Sequence, residues 1–352
     1  MNSEHKLTIV LVLGTPGTTW GGMEKHTADL AGALASRGHN VHVMGHPSYI
    51  DRFPRGVHFH SVPFHLGRRN PWLILTLKHR VKKIAPDILH AQGNKAAQLT
   101  GSIQSDTIKL RVGTVHGIKS SHKAFNRLDR VIAVSPRIFE NLKHPGRHLI
   151  YNGVALPRTP EPENSYNPAF PPEVINVVAI GRLEPVKGFQ RLIEAWALRA
   201  KSLPSAHLTI FGDGSERKRL EKLICELSLG DDVTLAGFHN DLSSVYKQAQ
   251  LTVLSSEREG FPYVLIESLL AGCPVISTPV SGPQNILPAG ALCQDHEISS
   301  LSDLLSEALG NLAGLKKAEG PAMAFARKKL TLENMTDETE QLYFDALSVD
   351  RN

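Results

Sequence analysis

Residues 175–188 read INVVAIGRLEPVKG. A short run of β-branched and small apolar residues stops at a glycine. A loop carrying two cations, Arg182 and Lys187, then leads into a segment of helical spacing over 188–201. An apolar run of this length, bounded by turn residues, predicts a strand buried in a parallel sheet, followed by a strand-to-helix turn. The chain opens with the same grammar: LTIVLVL (7–13), the glycine-rich loop GTPGTTWGG (14–22), then a helix-length segment at 23–37. Further strands are expected at 41–44, 57–62, 87–90, 109–115 and 131–134, with a helix at 71–84. After the second opening, strands are expected at 206–211, 232–236, 250–254, 274–277 and 290–293. Helices are expected at 214–228, 241–248, 262–271 and 298–312. Strand–helix alternation of this kind predicts two α/β units, each a doubly wound parallel sheet with ligands beyond the carboxyl ends of its strands.

Between the two series lies VALPRTPEPENSYNPAFPPE (154–173), with six prolines. Proline at that density blocks both helix interiors and sheet centres. The expected organisation is therefore a domain over 1–153, a connection over 154–173, a second domain over 174–330 with a cleft between the two, and a last segment, 331–352. A helix around 332–347 in that last segment is able to pack back on the first domain.

Composition narrows the class. The chain has 352 residues, 41% hydrophobic and 21% charged, enough for two ordinary domains. No apolar run reaches the length of about eighteen residues that a membrane span needs, and the opening stretch reads as a first buried strand and not as a leader. Three scattered cysteines, Cys225, Cys273 and Cys293, fit a reducing compartment and give no metal spacing. The net charge of +5 is unevenly spread: residues 1–152 hold 21 Lys and Arg against 8 Asp and Glu, +13, and the remainder 18 against 26, −8. One half thus suits an anionic partner. Nucleic acid lacks support, with neither zinc-finger spacing nor an RRM-like aromatic signature.

Four segments carry candidate chemistry, each where a strand ends. The loop through Gly21, Gly22 and Glu24 has glycines that allow close backbone approach and leads into a helix amino terminus, which favours anions; it is not a clean G-x-G-x-x-G. Arg182 and Lys187, five apart, suit a diphosphate clamp, one a planar fork and one a point charge. Phe211-Gly-Asp-Gly-Ser215 reads as a tight turn of conformational purpose. The fourth, EGFPYVLIESLLAGCPV (259–275), has Glu259 in a loop and Glu267 inside an otherwise apolar helix beginning near Pro262, with backbone amides over 261–264 for an anion or sugar hydroxyls.

Together these motifs resemble family 4 retaining glycosyltransferases (glycosyl transferases group 1). The resemblance rests on the E-x(7)-E spacing of Glu259 and Glu267, the GR…K pattern of Arg182 and Lys187, and Gly21-Gly22-x-Glu24. PDILHAQGNKAA (86–97), TVHG (114–117), DRVIAVS (129–135) and YNGV (151–154) are also similar in text and order. Gln92 departs from the pattern, standing where a histidine is frequent. The resemblance covers nearly the whole chain and implies the GT-B fold, two Rossmann-like domains facing each other across a cleft. It implies that Arg182 and Lys187 bind the donor diphosphate, Glu267 the ribose, and Glu259 the transferred sugar. Gly260, Phe261, Pro262, Tyr263 and Val264 are expected to assist, Gly21 and Gly22 to close on the diphosphate, and His116 to lie near the sugar. Arg182, Lys187, Glu259 and His116 are the candidate catalytic residues. UDP is the commoner donor nucleotide of such enzymes, GDP the next. No cofactor and no metal are expected, since the chain has no D-x-D and two cations replace a metal's charge. The expected acceptor is a glycan or glycolipid of bacterial polysaccharide or lipopolysaccharide synthesis, and the expected location is cytoplasmic, peripheral on the inner face of the membrane. The segment from Arg68 to Lys83 would supply the contact with an anionic surface. Rival expectations are a nucleotide-sugar epimerase or sugar phosphorylase of the same fold, or a catalytically silent sugar-nucleotide-binding protein. An oxidoreductase is disfavoured by the loop at 14–22.

Overall fold

The computed structural model describes residues 6–117, 121–156, 170–171, 173–199, 204–239 and 241–349. It divides into two compact units, Met1–Ala155 with Lys329–Asn352, and Leu156–Lys328. Most of the proline-rich connection expected over 154–173 lies outside the described residues. Val154 itself belongs to the first unit, where its N–H donates to the Leu330 carbonyl at 3.0 Å and its carbonyl accepts from the Leu332 N–H at 2.9 Å.

The first unit runs β1 (Thr8–Leu13), α1 (Gly22–Ser36), β2 (Asn40–Gly45), β3 (His58–Ser61), α2 (Pro71–Ile84), β4 (Ile88–Gln92), α3 (Gly93–Thr100), β5 (Leu110–Val115), β6 (Arg130–Ala133), α4 (Pro136–Asn141) and β7 (Arg147–Leu149). Among the described residues its strands form one parallel sheet in the order β3-β2-β1-β4-β5-β6-β7. The order reverses between β1 and β4, so the loops leaving those two strands diverge and open a crevice at their carboxyl ends.

The second unit runs β8 (Ile175–Ile180), α5 (Phe189–Leu198), β9 (Ala206–Phe211), α6 (Arg217–Glu226), β10 (Val233–Gly237), α7 (Ser243–Gln248), β11 (Leu251–Leu254), α8 (Tyr263–Ala271), β12 (Val275–Ser277), α9 (Pro283–Ile286), α10 (Ile298–Gly310), α11 (Leu312–Ala318) and α12 (Gly320–Lys329). Its described strands pair in parallel, β10-β9-β8-β11-β12, with the reversal between β8 and β11. Leu192, Ile193 and Trp196 of α5 pack with Leu208 and Ile210 of β9 and with Leu301 and Leu305 of α10, all fully buried. Each such side chain contributes about 1.5–3 kcal/mol. The strand expected over 290–293 is corrected: Ala289–Ala291 form a 3-10 turn whose hydrogen bonds, Ala291 N–H to Pro288 O and Leu292 N–H to Ala289 O, consume the amides a ladder would use. Only Leu292 bridges, to Ser277.

A final helix, α13 (Leu332–Val349), belongs to the first unit. Met335, Leu342, Tyr343 and Ala346 enter the core with Ile9, Leu11, Leu30, Val43, Ile88 and Val112. Arg37 pairs with Asp337 at 2.6 Å and Glu340 at 2.8 Å, and His39 meets Glu340 at 2.6 Å.

Candidate active site

In the second unit the site follows from the reversal of strand order. β8 and β11 are neighbours, so the loops after Ile180 and after Leu254 leave side by side. Gly188 makes them fit. Its φ is +66°, and a Cβ there would stand 2.1 Å from the Ser255 carbonyl oxygen, a position only glycine accepts. The Ser255 hydroxyl donates to the Lys187 carbonyl at 2.9 Å, and the Glu257 N–H donates to the Val186 carbonyl at 2.9 Å. The two loops are thereby stitched together, and Lys187 Nζ comes 2.6 Å from Glu259 Oε1. The Ser256 hydroxyl donates to the same carboxylate oxygen at 2.7 Å. Arg182 is exposed and, among the described residues, holds no ion pair.

The turn at 211–215 performs the conformational service expected of it. Gly212 has φ +138°, and its Cβ would lie 1.8 Å from the Gly181 carbonyl oxygen; Gly214 abuts Leu183 in the same way. The Leu183 N–H donates to Asp213 O at 2.9 Å, and the Ser215 hydroxyl to Glu184 Oε2 at 2.9 Å. The loop carrying Arg182 and Lys187 is thus held from both sides, by the loop after β9 and the loop after β11.

α8 begins at Tyr263 with Pro262 as its cap, one residue later than expected. Proline has no N–H, so Pro262 supplies no donor. The first N–H groups of α8 are therefore those of Tyr263 and Val264, at the helix end that carries partial positive charge. Phe261 and Pro262 pack beneath Gly282, whose φ of +94° and close approach to Pro262 Cδ admit no side chain. Glu267, one turn on, is half-buried and accepts from the Tyr246 hydroxyl at 2.8 Å. Burial first, and the Glu267 charge second, push that hydroxyl well above its ordinary pKa, so it stays protonated and donates.

In the first unit, Gly21 caps α1, and its N–H donates to Glu24 Oε2 at 3.0 Å, which keeps the buried Glu24 satisfied. Ser48 and Tyr49 fasten the loop before it: the Ser48 hydroxyl donates to Gly17 O at 2.8 Å, the Tyr49 hydroxyl to Thr19 O at 2.7 Å. His116 follows β5, its Nε2 2.7 Å from Gln92 Oε1 at the end of β4. The ring of His26, on α1, stands edge-on to His116 at 4.7 Å, and His26 Nδ1 meets Asn152 Oδ1 at 3.1 Å. His90 lies between the Tyr343 and Thr114 hydroxyls, 2.7 Å from each. All three imidazoles are neutral. Burial depresses His26 to about 4 and His90 to about 3, and burial first, then the nearness of the His26 and His90 rings, holds His116 well below its ordinary value. An acceptor amide at Gln92 fixes the proton of His116 on Nε2.

The structure thus gathers Lys187, Glu259 and the start of α8 around the β8–β11 reversal, and joins α1 to His116 in the other unit. Sequence reasoning missed Ser256, Tyr246, Gln92 and His26 as partners. For Ser256 alone a signal existed, its i, i+3 spacing to Glu259. Among the described residues no group of three or more His, Cys, Asp or Glu side chains is disposed to hold a metal ion, and no helix is long and apolar enough to cross a membrane.

Comparison with known proteins gives two family matches: Glycosyl transferases group 1 over residues 161–318, and Glycosyltransferase Family 4 over residues 20–158. The lipopolysaccharide core biosynthesis glycosyltransferase LpsE of Rhizobium meliloti is 28% identical over 277 residues, 75% of this chain and 77% of that protein. The N-acetyl-alpha-D-glucosaminyl L-malate synthase of Bacillus anthracis is 24% identical over 92% of this chain and 94% of its own. The crystal structure of Anabaena Alr3699/HepE in complex with UDP-glucose superposes with a TM-score of 0.78 at 19% identity, covering 97% of this chain and 100% of that one. At that identity the likeness is one of fold, the GT-B pair of parallel-sheet α/β units.

Proposed function

The chain belongs to the glycosyltransferases of group 1 and family 4, and from that membership we propose that it is a retaining, metal-independent transferase moving a hexose from UDP to a phosphorylated glycolipid or glycan of the bacterial cell envelope. The observation that carries this proposal is the meeting of Lys187 and Glu259 at the reversal of the second sheet, with exposed Arg182 on the same loop. Cations aimed at a diphosphate stabilise the charge that builds as the sugar's C1–O bond breaks. They do so without a metal. The first-turn amides of α8 add partial positive charge, and Glu267 accepts from the ribose hydroxyls. Attack comes from the face the diphosphate leaves: the acceptor oxygen bonds to C1, and its proton passes to a departing phosphate oxygen. His116 belongs to the other unit, where burial keeps its imidazole neutral.

The choice of UDP rests on the ligand of the Anabaena enzyme, and the choice of acceptor on the name of the Rhizobium relative. Residues 1–152, at +13, suit an anionic acceptor surface. Arg182→Ala is expected to lower turnover about a hundred- to a thousandfold, ~2.7–4 kcal/mol, with an unchanged circular dichroism spectrum, and transfer is expected to continue in excess EDTA. Near-normal turnover by the folded variant, or loss in EDTA restored by magnesium or manganese, overturns the two-cation clamp.

A further inference from the structure

Lys187 and Glu259 are both expected to touch the donor, yet they hold each other at 2.6 Å, with side chains 23% and 13% exposed. This is not a chance meeting of two long surface chains. Both backbones are fixed beside the pair, by Gly188 against the Ser255 carbonyl and by the Ser255 hydroxyl on the Lys187 carbonyl. Ser256 fastens the carboxylate independently, by a hydroxyl on the same Oε1 at 2.7 Å. An ammonium already neutralised by a carboxylate is a poor ligand for a diphosphate. A carboxylate already held by an ammonium is a poor acceptor for sugar hydroxyls.

We infer that donor binding makes these two residues exchange partners, and that Glu259 thereby distinguishes the sugar nucleotide from the free nucleotide. The inference rests on the donor-site reading given above. The diphosphate draws Lys187 away. Glu259 stays, retained by Ser256, and its vacated lone pairs are met by the hydroxyls of the sugar. A nucleoside diphosphate without sugar also draws Lys187 away but offers nothing in return, so it strands a largely buried carboxylate on one hydroxyl. Leaving a buried charged group short of partners carries a free-energy penalty. The penalty falls on the product and not on the substrate, so Glu259 weakens retention of the spent nucleotide as well as orienting the sugar.

The test is calorimetric titration of UDP and of GDP, the tighter-binding nucleotide carrying the comparison, into the full chain and its Lys187→Ala, Glu259→Gln and doubly substituted forms. Glu259→Gln is expected to bind the free nucleotide about fivefold more tightly than the parent, ~1 kcal/mol on the scale of a part-exposed ion pair. Lys187→Ala is expected to bind more weakly, and the double variant no more tightly than Lys187→Ala alone, because the gain requires a liberated ammonium. Should Glu259→Gln not fold, Glu259→Ser gives the same comparison. If Lys187→Ala leaves nucleotide affinity unchanged, the donor-site reading itself falls. If Lys187→Ala weakens binding while Glu259→Gln does not tighten it, or if the gain survives in the double variant, the exchange is wrong and the donor site stands.

Discussion

Glu259 and Glu267 are eight residues apart, and their chemistry separates through what each one touches. Glu259 shares an oxygen between an ammonium and a hydroxyl, whereas Glu267 accepts from the Tyr246 phenol, which burial keeps protonated. If Glu267 holds the ribose, Glu267→Gln is expected to weaken UDP binding by about 1.5–3 kcal/mol, the worth of a charged hydrogen bond, roughly ten- to a hundredfold by calorimetry. Tyr246→Phe, which removes only the fixing hydroxyl, is expected to weaken it less. A Glu267→Gln variant with parental affinity for UDP removes Glu267 from the nucleotide site. The motif residues themselves were legible because strand ends, glycines and charges coincide in the text. Their partners were not. Tyr246 lies in α7, packed beside α8, and Gln92 reaches His116 only because β4 and β5 lie in register, with Gln92 opposite Thr114. Nothing in local spacing announces either contact.

Elements with a strong local signature were legible nearly to the residue. α2 starts at Pro71 because the Asn70 side chain accepts from the Trp72 and Leu73 amides and proline suits the first turn, and it ends at Ala85, which turns left-handed at φ 52°. α3 escaped because GNKAAQLT opens with a glycine at φ +77° and carries little apolar stripe. β7, RHL, is a three-residue edge strand with no apolar run. α2 divides its apolar residues between two faces: Leu73, Leu77 and Val81 are core, while Trp72 is 67% and Leu75 62% exposed. These two stand among exposed Arg68, Arg69, Lys78, Lys82 and Lys83, and the helix has no acidic residue. That combination suits an anionic lipid surface, where each cation is worth about 1 kcal/mol. The chain is therefore expected to co-sediment with anionic vesicles at low salt more strongly than with neutral ones, and replacing Arg68, Arg69, Lys82 and Lys83 by Ser is expected to remove the difference. Equal binding to both vesicle types, or binding unaffected by the four substitutions, dismisses the membrane contact.

At the scale of the whole molecule, the two units answer acid in opposite ways. The first keeps His26, His90 and His116 neutral by burial, and His42 on β2 and His60 on β3 are lowered too, by burial and by neighbouring cations and histidines. A histidine whose folded pKa lies below its unfolded value of about 6.5 binds its proton more readily when unfolded. Stability is therefore lost as pH falls below about 6.5 towards 4, at up to ~1.4 kcal/mol per pH unit for each fully buried ring. In the second unit the buried Glu319, which accepts the Val275 N–H at 3.0 Å, is pushed up to about 8 by burial. A raised carboxyl pKa favours the fold at low pH and disfavours it as pH rises towards 8. Hydrogen exchange between pH 7 and 4.5 is expected to show protection lost first in β1, β4, β5 and α13, and retained in β8, β9 and β11. Loss in the reverse order contradicts the assignment of neutral, buried histidines.

The return of α13 to the first unit has a consequence for biosynthesis. Synthesis is vectorial, so the domain whose strands leave the ribosome first is the last to be completed. Tyr343, Leu342 and Met335 close its core, and Tyr343 meets His90, yet they follow the whole of Leu156–Lys328 in the chain. At about 5–20 residues per second, the sheet that emerges first waits on the order of ten to forty seconds before α13 joins α1 over its apolar face, exposed to premature association. A stop codon or frameshift just ahead of the codons for α13 would thus damage the unit encoded before Leu156, while leaving the sheet that carries Arg182 and Glu259 untouched.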